Sequence, residues 1–144
     1  MLAAVLLVIG EFATVASVEV GSTSCEVIQD SNPELADRCE LSGFERQPLV
    51  RTVLAAGILA MALGAGLGRS RPAAVALLVL GALALGLGLL IDLPVTRETG
   101  VLGSSFEDAH GQAGPGLAME IAAGLLAIAA GAIALLRPRS PRRD

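Results

Sequence analysis

The sequence contains no tryptophan, tyrosine or lysine, and its 144 residues include only one histidine and two cysteines. Charged residues make up 17% of the chain, whereas soluble globular domains carry about 25%. This composition argues against a soluble enzyme domain and against a disordered chain, and two cysteines are too few for a disulfide-rich mini-protein. The net charge of −4 argues against nucleic-acid binding, which needs a basic face.

Hydrophobic residues are abundant instead, at 53% of the chain with a mean hydropathy of +0.70. Residues 53–68 and 72–91 contain no ionisable side chain of Asp, Glu, His, Lys or Arg. Uncharged runs of about 18 residues or more match the thickness of a lipid bilayer. Arginine as the sole basic residue, with many alanines and glycines, is typical of GC-rich coding. We therefore predict an all-α membrane protein of the bacterial plasma membrane.

Four segments have the length and hydropathy of membrane spans. A helix needs about 20 apolar residues to cross the hydrocarbon core, and helices are required because lipid cannot satisfy open backbone groups. Prolines and a capping serine near the boundaries agree with helix ends there. We predict an antiparallel four-helix transmembrane bundle, a single domain over residues 1–136, with spans at 2–18, 49–68, 72–91 and 115–136.

The placement of arginine predicts the orientation. Arg69 and Arg71 lie between the second and third spans, and the tail 137–144 carries four more arginines. Because arginine is enriched on the cytoplasmic side, we expect both termini in the cytoplasm. Residues 19–48, with seven of the 14 acidic residues, and residues 92–114 would then form a small external cap.

The first span also admits a second interpretation. A short apolar stretch followed by small residues is typical of a cleaved signal peptide as well. The lack of a basic residue before this stretch and the presence of Glu11 within it favour a retained span.

An internal repeat is visible. Residues 55–65 read AAGILAMALGA and residues 122–132 read AAGLLAIAAGA, with eight of eleven positions identical. A duplication would make the bundle two tandem helical hairpins related by an axis along the membrane normal. The alternative is coincidence between helices rich in alanine, leucine and glycine.

Glu11 is the polar residue expected inside the membrane. It lies nine residues after Leu2, about 13 Å along a helix, where no basic residue is expected at the same depth. A carboxyl group there is costly, so it should face the interior of the helix bundle. One hypothesis is a proton- or cation-handling site with Thr14 and Thr52 as neighbours, and the other is a hydrogen bond that holds two helices together.

A second polar group is expected near the outer surface. Arg51, Asp92 and Glu120 fall at overlapping depths, and His110 lies in the loop just above. This set could bind a small ligand or a cation, or Arg51 could form an ion pair that locks the helices. One histidine among scattered acids lacks the spacing of a metal site, so we expect no metal.

Cys25 and Cys39 both lie in the acidic external segment, which favours a structural disulfide. Their spacing is not that of a CxxC redox motif. Small residues at a spacing of four predict close helix packing, either within the chain or in a dimer. The positions we expect in such contacts are Ala60, Gly64, Gly68, Gly86 and Gly131.

Two resemblances fit this organisation. Four spans, cytoplasmic termini and the pair Cys25 and Cys39 in the first outer loop resemble tetraspan junction proteins of the claudin kind, although the chain lacks tryptophan and therefore their loop motif. The segments Gly10-Glu11-Phe12, Asp92-Leu93-Pro94 and Gly114-Pro115-Gly116 resemble small four-helix membrane proteins of GC-rich actinobacteria. Neither resemblance implies an activity.

The functional interpretation follows from what is absent. The sequence shows no nucleophile with a base, no clustered metal ligands and no phosphate-binding loop, so we predict neither an enzyme nor a bound cofactor. A structural or accessory protein is favoured, with lipid, another membrane protein or a second copy as partner. The alternatives are a small proton-coupled transporter that uses Glu11, and a sensor or assembly factor that acts through the external loop.

Overall fold

The computed structural model describes residues 1–20, 40–68, 70–97 and 109–137. Its elements, in chain order, are α1 (Leu2–Phe12), β1 (Thr14–Val20), β2 (Glu40–Ser42), α2 (Gly43–Arg46), α3 (Val50–Gly66), α4 (Arg71–Gly86), a π-helical turn (Leu87–Asp92), α5 (Leu93–Val95), β3 (Ala109–Ala113) and α6 (Pro115–Leu136). The chain is therefore mostly helical in its described parts.

Helices α1, α3, α4 and α6 pack around a common core. Helix α1 contacts α3 and α6, and α4 contacts the same two helices. The core is built of small and aliphatic side chains from all four helices: Ala3, Ala4, Leu7, Ala55, Ile58, Leu77, Ala84, Ala123 and Ala127. Many larger apolar side chains, such as Leu83, Leu125 and Ile133, point outward and are exposed. A surface of this kind suits lipid better than water.

Among the residues that the structure describes, two helical segments are long and apolar enough to cross a membrane. One is Arg71–Val95, of 25 residues, which includes α4, the π-helical turn and α5, and the other is α6, of 22 residues. Helix α3 has 17 residues, at the lower end of the range for a membrane span. Helix α1 has 11 residues and rises about 16 Å, roughly half of the hydrocarbon core.

The predicted first span, residues 2–18, is wrong in its second half. Helix α1 ends at Phe12, Ala13 has an extended conformation, and the strand β1 begins at Thr14. The segment from Thr14 to Val20 contains three valines and a threonine, whose branched side chains favour a strand. Hydropathy alone did not separate the apolar helix from the apolar strand that follows it.

A three-stranded antiparallel sheet covers one end of the helices, with the strand order β2-β1-β3. Strand β1 pairs with β2 through Thr14 and Ser42, and with β3 through Ala16 and Ala113. The purely α-helical fold class is therefore wrong at this end. Both predicted external segments contribute to the sheet, because β2 lies in residues 19–48 and β3 in residues 92–114.

The chain approaches itself closely where β3 leads into α6. An added Cβ at Gly114 would overlap the carbonyl oxygen of Thr14, and the amide of Gly114 donates a hydrogen bond to the carbonyl of Val15. Glycine is required here because no side chain fits between the two backbone segments.

The other helix boundaries lie within a few residues of those predicted. Ser70 caps α4, because its hydroxyl accepts a hydrogen bond from the amide of Ala73, and Pro72 occupies the first turn. Helix α4 then widens into the π-helical turn just before Pro94. Proline has no N–H and its ring displaces the carbonyl four residues earlier, which explains why the regular helix ends there. Helix α6 begins and ends as predicted.

Close helix packing occurs at other glycines than most of those predicted. An added Cβ would lie 2.8 Å from the backbone nitrogen of Ile128 at Gly81, 2.9 Å from that of Leu85 at Gly124, and 3.0 Å from the carbonyl oxygen of Ala74 at Gly131. These three glycines bring α4 and α6 together. Of the three, only Gly131 was among the predicted packing positions.

Among the other predicted packing positions, Gly64 approaches α4, because its added Cβ would lie 3.1 Å from the Cβ of Ala73. Ala60 is exposed, and Gly68 is exposed and approaches only the carbonyl of Gly64 in its own turn. Gly86 faces open space, with no atom of the described residues within 4 Å of an added Cβ. The spacing of small residues therefore did not identify which face of each helix is covered.

One pair of equivalent glycines in the repeat has different neighbours. Gly57 and Gly124 occupy the same position in the two copies. Gly124 packs on the backbone of α4 at Leu85, and the equivalent neighbour of Gly57 would be α1. Gly57 instead approaches Leu80, which also belongs to α4.

Leu49, immediately before α3, has a left-handed backbone with φ of 65°. This conformation costs an L-residue roughly 1–2 kcal/mol, and asparagine tolerates it better. Leu49→Asn should therefore raise the free energy of unfolding in detergent by about 1 kcal/mol. Leu49→Ala keeps the Cβ and serves as the control. Equal stability of the two variants would show that the backbone at this position is not strained.

Candidate functional site

Four ionisable side chains are buried at the end of the helices that the sheet covers. Glu11, Arg51, Asp92 and Glu120 are each at most 1% exposed, although they come from α1, α3, the π-helical turn and α6. We call this set the buried polar cluster, and we call this end of the molecule the Arg51 end. The opposite end, where α4 begins, is the Arg71 end.

Arg51 joins three helical segments. Its Nε and Nη2 atoms donate to Oε2 of Glu120 over 3.0 and 2.8 Å, and Nη2 also donates to Oδ2 of Asp92. The guanidinium therefore holds α3 to α6 and to the π-helical turn through charge-assisted hydrogen bonds. Two acids from distant parts of the sequence share one cation, out of contact with solvent.

Gly43 makes room for this guanidinium. An added Cβ at Gly43 would overlap Nη1 of Arg51 and lie 3.0 Å from the carbonyl oxygen of Glu11. The amide of Gly43 also donates to the carbonyl of Ala13. The first residue of α2 is thereby fixed between α1 and Arg51, and only glycine is small enough for this position.

Glu11 accepts hydrogen bonds from Thr52, the residue that follows Arg51. Its Oε2 atom accepts a hydrogen bond of 2.7 Å from the backbone amide of Thr52 and another from the Thr52 hydroxyl. The amides of the first turn of a helix have no partner within that helix, and a carboxylate favours the positive end of the helix dipole. Glu11 therefore caps α3 from α1, a role usually filled by a residue just before the helix.

Glu11→Leu should cost about 1–3 kcal/mol of stability, because a buried backbone amide and a buried hydroxyl lose their acceptor. Glu11→Gln retains an acceptor oxygen and should cost less. Unfolding in mixed detergent micelles would measure both, with Thr52→Ser, which keeps the hydroxyl, as a control close to the unaltered chain. Equal losses for the leucine and glutamine variants would contradict the capping role.

The π-helical turn positions Asp92 near Glu120. Gly88, in the same turn, packs against α6 so closely that an added Cβ would lie 3.6 Å from Cγ of Glu120 and 3.3 Å from Cγ1 of Ile121. The wider turn changes the direction in which the following side chains point. Asp92, the last residue of this turn, lies in the interior four residues after the buried Gly88.

The structure brings together three of the four residues expected at the outer mouth. Arg51, Asp92 and Glu120 are in contact, whereas His110 is exposed on β3, opposite Glu19 in the strand register. In the described residues, no group of three His, Cys, Asp or Glu side chains could hold a metal ion. Cys25 and Cys39 lie outside the described residues.

The predicted isolation of Glu11 is wrong. Glu11 lies next to the end of α1, at the level of the second residue of α3, which is Arg51. The depth of Glu11 was predicted by counting residues from Leu2. Nothing in the sequence indicated that α3 begins beside the end of α1. Thr52 was predicted to be near Glu11, but the hydrogen bond from its backbone amide was not predicted.

Comparisons of this chain with family models, with curated proteins and with solved structures found no match.

The chemistry of the buried polar cluster is that of ion pairing and hydrogen bonding. Two of its carboxyl oxygens, Oε1 of Glu11 and Oε1 of Glu120, are buried without a hydrogen-bond partner among the described residues. The remaining polar contacts link helices to each other. The cluster therefore offers a structural lock and, at two oxygens, the capacity to accept a further hydrogen bond.

Proposed function

We propose that this chain is a multi-pass protein of the bacterial plasma membrane with a structural or accessory role. Two of the described helical segments have the length to cross the bilayer: α4 with its extension to Val95, and α6. Helix α3 is at the lower limit of length for a membrane span. Helix α1 would be embedded beside them. The exposed apolar side chains would face lipid, and the sheet would lie at one membrane surface.

We propose the Arg71 end as the cytoplasmic end. Arg71 and Arg137 lie at this end. Arginine is enriched on the cytoplasmic side of membrane proteins and determines their orientation more strongly than acidic residues do. Helix α1 runs in the same direction as α4, so its first residue points toward the same side. The Arg51 end and the sheet would then be extracytoplasmic.

The observation that carries a structural role is the use of the buried charges. Each charged side chain of the buried polar cluster bonds to a residue of another helical segment. A buried ion pair adds little net stability against apolar residues of the same size, but it fixes which groups lie together. The arrangement is suited to hold the sheet in one orientation above the helices, as a surface for a partner.

Purification of the full chain from its native membrane in mild detergent tests this role. We expect a second protein, or a second copy, to co-purify in fixed proportion, and reconstituted liposomes to show no ion flux. A single copy that carries protons across liposomes would contradict a structural role.

Proton-coupled transport is the second candidate, favoured by the unpartnered Oε1 atoms of Glu11 and Glu120. If Glu11 carries protons, Glu11→Gln should abolish flux while the chain still folds. Thr52→Ser should retain flux. Flux that survives Glu11→Gln would exclude this mechanism. A sensor that acts through the external loop depends largely on residues 21–39, which lie outside the described residues.

A further inference from the structure

A groove of about 740 Å³ runs along the surface between α3 and α4, beginning at the Arg71 end. Apart from Arg71, its walls are apolar: Met61, Pro72, Val75, Ala76, Val79 and Leu80. From Pro72 to Leu80 the groove follows α4 for about 12 Å at helical rise. One leaflet of the hydrocarbon core is about 15 Å thick, half of the usual 30 Å. The apolar part is therefore slightly shorter than one leaflet, and it would hold the greater part of one acyl chain.

An arginine side chain in its lining distinguishes this groove from two other apolar grooves on the helices. One lies at the start of α3, around Leu49 and Val53, and the other lies between α1 and α3, around Val5 and Leu59. Neither of these grooves has a charged side chain in its lining. The groove at the Arg71 end has an arginine at its mouth.

Arg71 is placed to meet an anion. It is the first residue of α4, where the positive end of the helix dipole lies, and its side chain is exposed. It forms no ion pair with any residue that the structure describes. Guanidinium groups bind phosphate through paired hydrogen bonds, and an arginine near a membrane surface is attracted to anionic lipid headgroups.

We propose that this groove binds an anionic phospholipid, with an acyl chain along α4 and the phosphate at Arg71. The proposal rests on the membrane location proposed above, and it adds a defined ligand class to that location. The occupant is a lipid and not free phosphate, because nearly all of the groove is hydrocarbon surface and only its mouth carries a charge.

Native mass spectrometry of the full chain in detergent tests the proposal. Phosphatidylglycerol should be retained more strongly than phosphatidylcholine of the same acyl chains. Arg71→Gln should reduce retention of phosphatidylglycerol about fivefold, which corresponds to roughly 1 kcal/mol for one arginine near a membrane surface. Arg137→Gln removes the same charge at the same end but outside the groove, and it should change retention little. Inorganic phosphate should not compete.

Filling the groove gives a second test that leaves the charge in place. Ala76→Phe should reduce retention of phosphatidylglycerol, because the ring would occupy the path of the acyl chain. Ala82→Phe is the matched control, since Ala82 is exposed on the same helix and lines none of the three grooves.

Equal retention of the two lipids, equal effects of Arg71→Gln and Arg137→Gln, or no bound lipid at all would overturn the proposal. These outcomes leave the membrane location intact. A different result would contradict the proposed membrane location: a chain that stays monomeric and helical in buffer without detergent.

Discussion

Arg51→Met should lower the free energy of unfolding by about 3–5 kcal/mol, the cost of leaving buried charges without their partner. Methionine has nearly the length of the arginine stem, so the variant removes the charge with little change in packing. Asp92 and Glu120, both 0% exposed, would then face each other without the cation that they share. Reversible unfolding in mixed detergent micelles, followed by helical circular dichroism, would measure the loss.

Two controls separate the ion pair from general effects of charge. Arg97→Met removes an arginine that is exposed and close in sequence to Asp92, and it should change stability by less than about 0.5 kcal/mol. The triple variant Arg51→Met, Asp92→Leu, Glu120→Met replaces the whole network by apolar side chains. It should recover most of the loss, because a buried pair and its apolar replacement differ little in net stability. A loss below 1 kcal/mol for Arg51→Met alone would contradict the lock.

Gly124→Ala should lower stability by about 1–3 kcal/mol, the usual cost of inserting a group into a packed interior. The added methyl would lie 2.9 Å from the backbone nitrogen of Leu85 and 3.0 Å from the carbonyl oxygen of Gly81. Both are backbone atoms of α4, so the clash cannot be relieved by rotating a side chain. The two helices would have to move apart at this close contact.

Gly86→Ala is the matched control for this prediction. Gly86 lies in α4, its backbone is helical, and an added Cβ would meet no described atom within 4 Å. Alanine should raise stability there by about 0.4–1 kcal/mol, because it restricts the unfolded chain without a clash. A similar loss in both variants would mean that the effect of Gly124→Ala comes from the helix backbone and not from helix packing. The pair can be measured in the same unfolding experiment as Arg51→Met.

The sequence predicted the helical segments well wherever apolar length was the deciding property. Helix α6 begins and ends as predicted, and α3 differs by one residue at its start and two at its end. The strand β1 was missed because its partners are far away in the sequence: β2 begins 26 residues after Thr14, and β3 begins at Ala109. The branched residues of Thr14–Val20 favour a strand, but a count of apolar residues joined this segment to the helix before it, and pairing with such distant partners leaves no local pattern.

The buried polar cluster divides in the same way. Counting residues along the spans places Arg51, Asp92 and Glu120 at overlapping depths. Their proximity could therefore be predicted from the sequence. The capping of α3 by Glu11 was not, because it depends on how the end of α1 meets the start of α3. Similarly, the spacing of small residues indicated Gly86 and neither Gly81 nor Gly124, and only the packing of α4 on α6 shows which of these glycines are covered.

The amino-acid sequence by itself determined where the apolar helices lie and which few charged residues had to be accommodated among them, because hydropathy and the cost of buried charge are local properties. The tertiary structure decided which face of each helix is covered, that residues after Phe12 leave the helix to join a sheet, and which acids share the guanidinium of Arg51. These outcomes depend on contacts between residues that are more than 20 positions apart along the chain, and composition and spacing carry no information about the direction in which the side chains involved point.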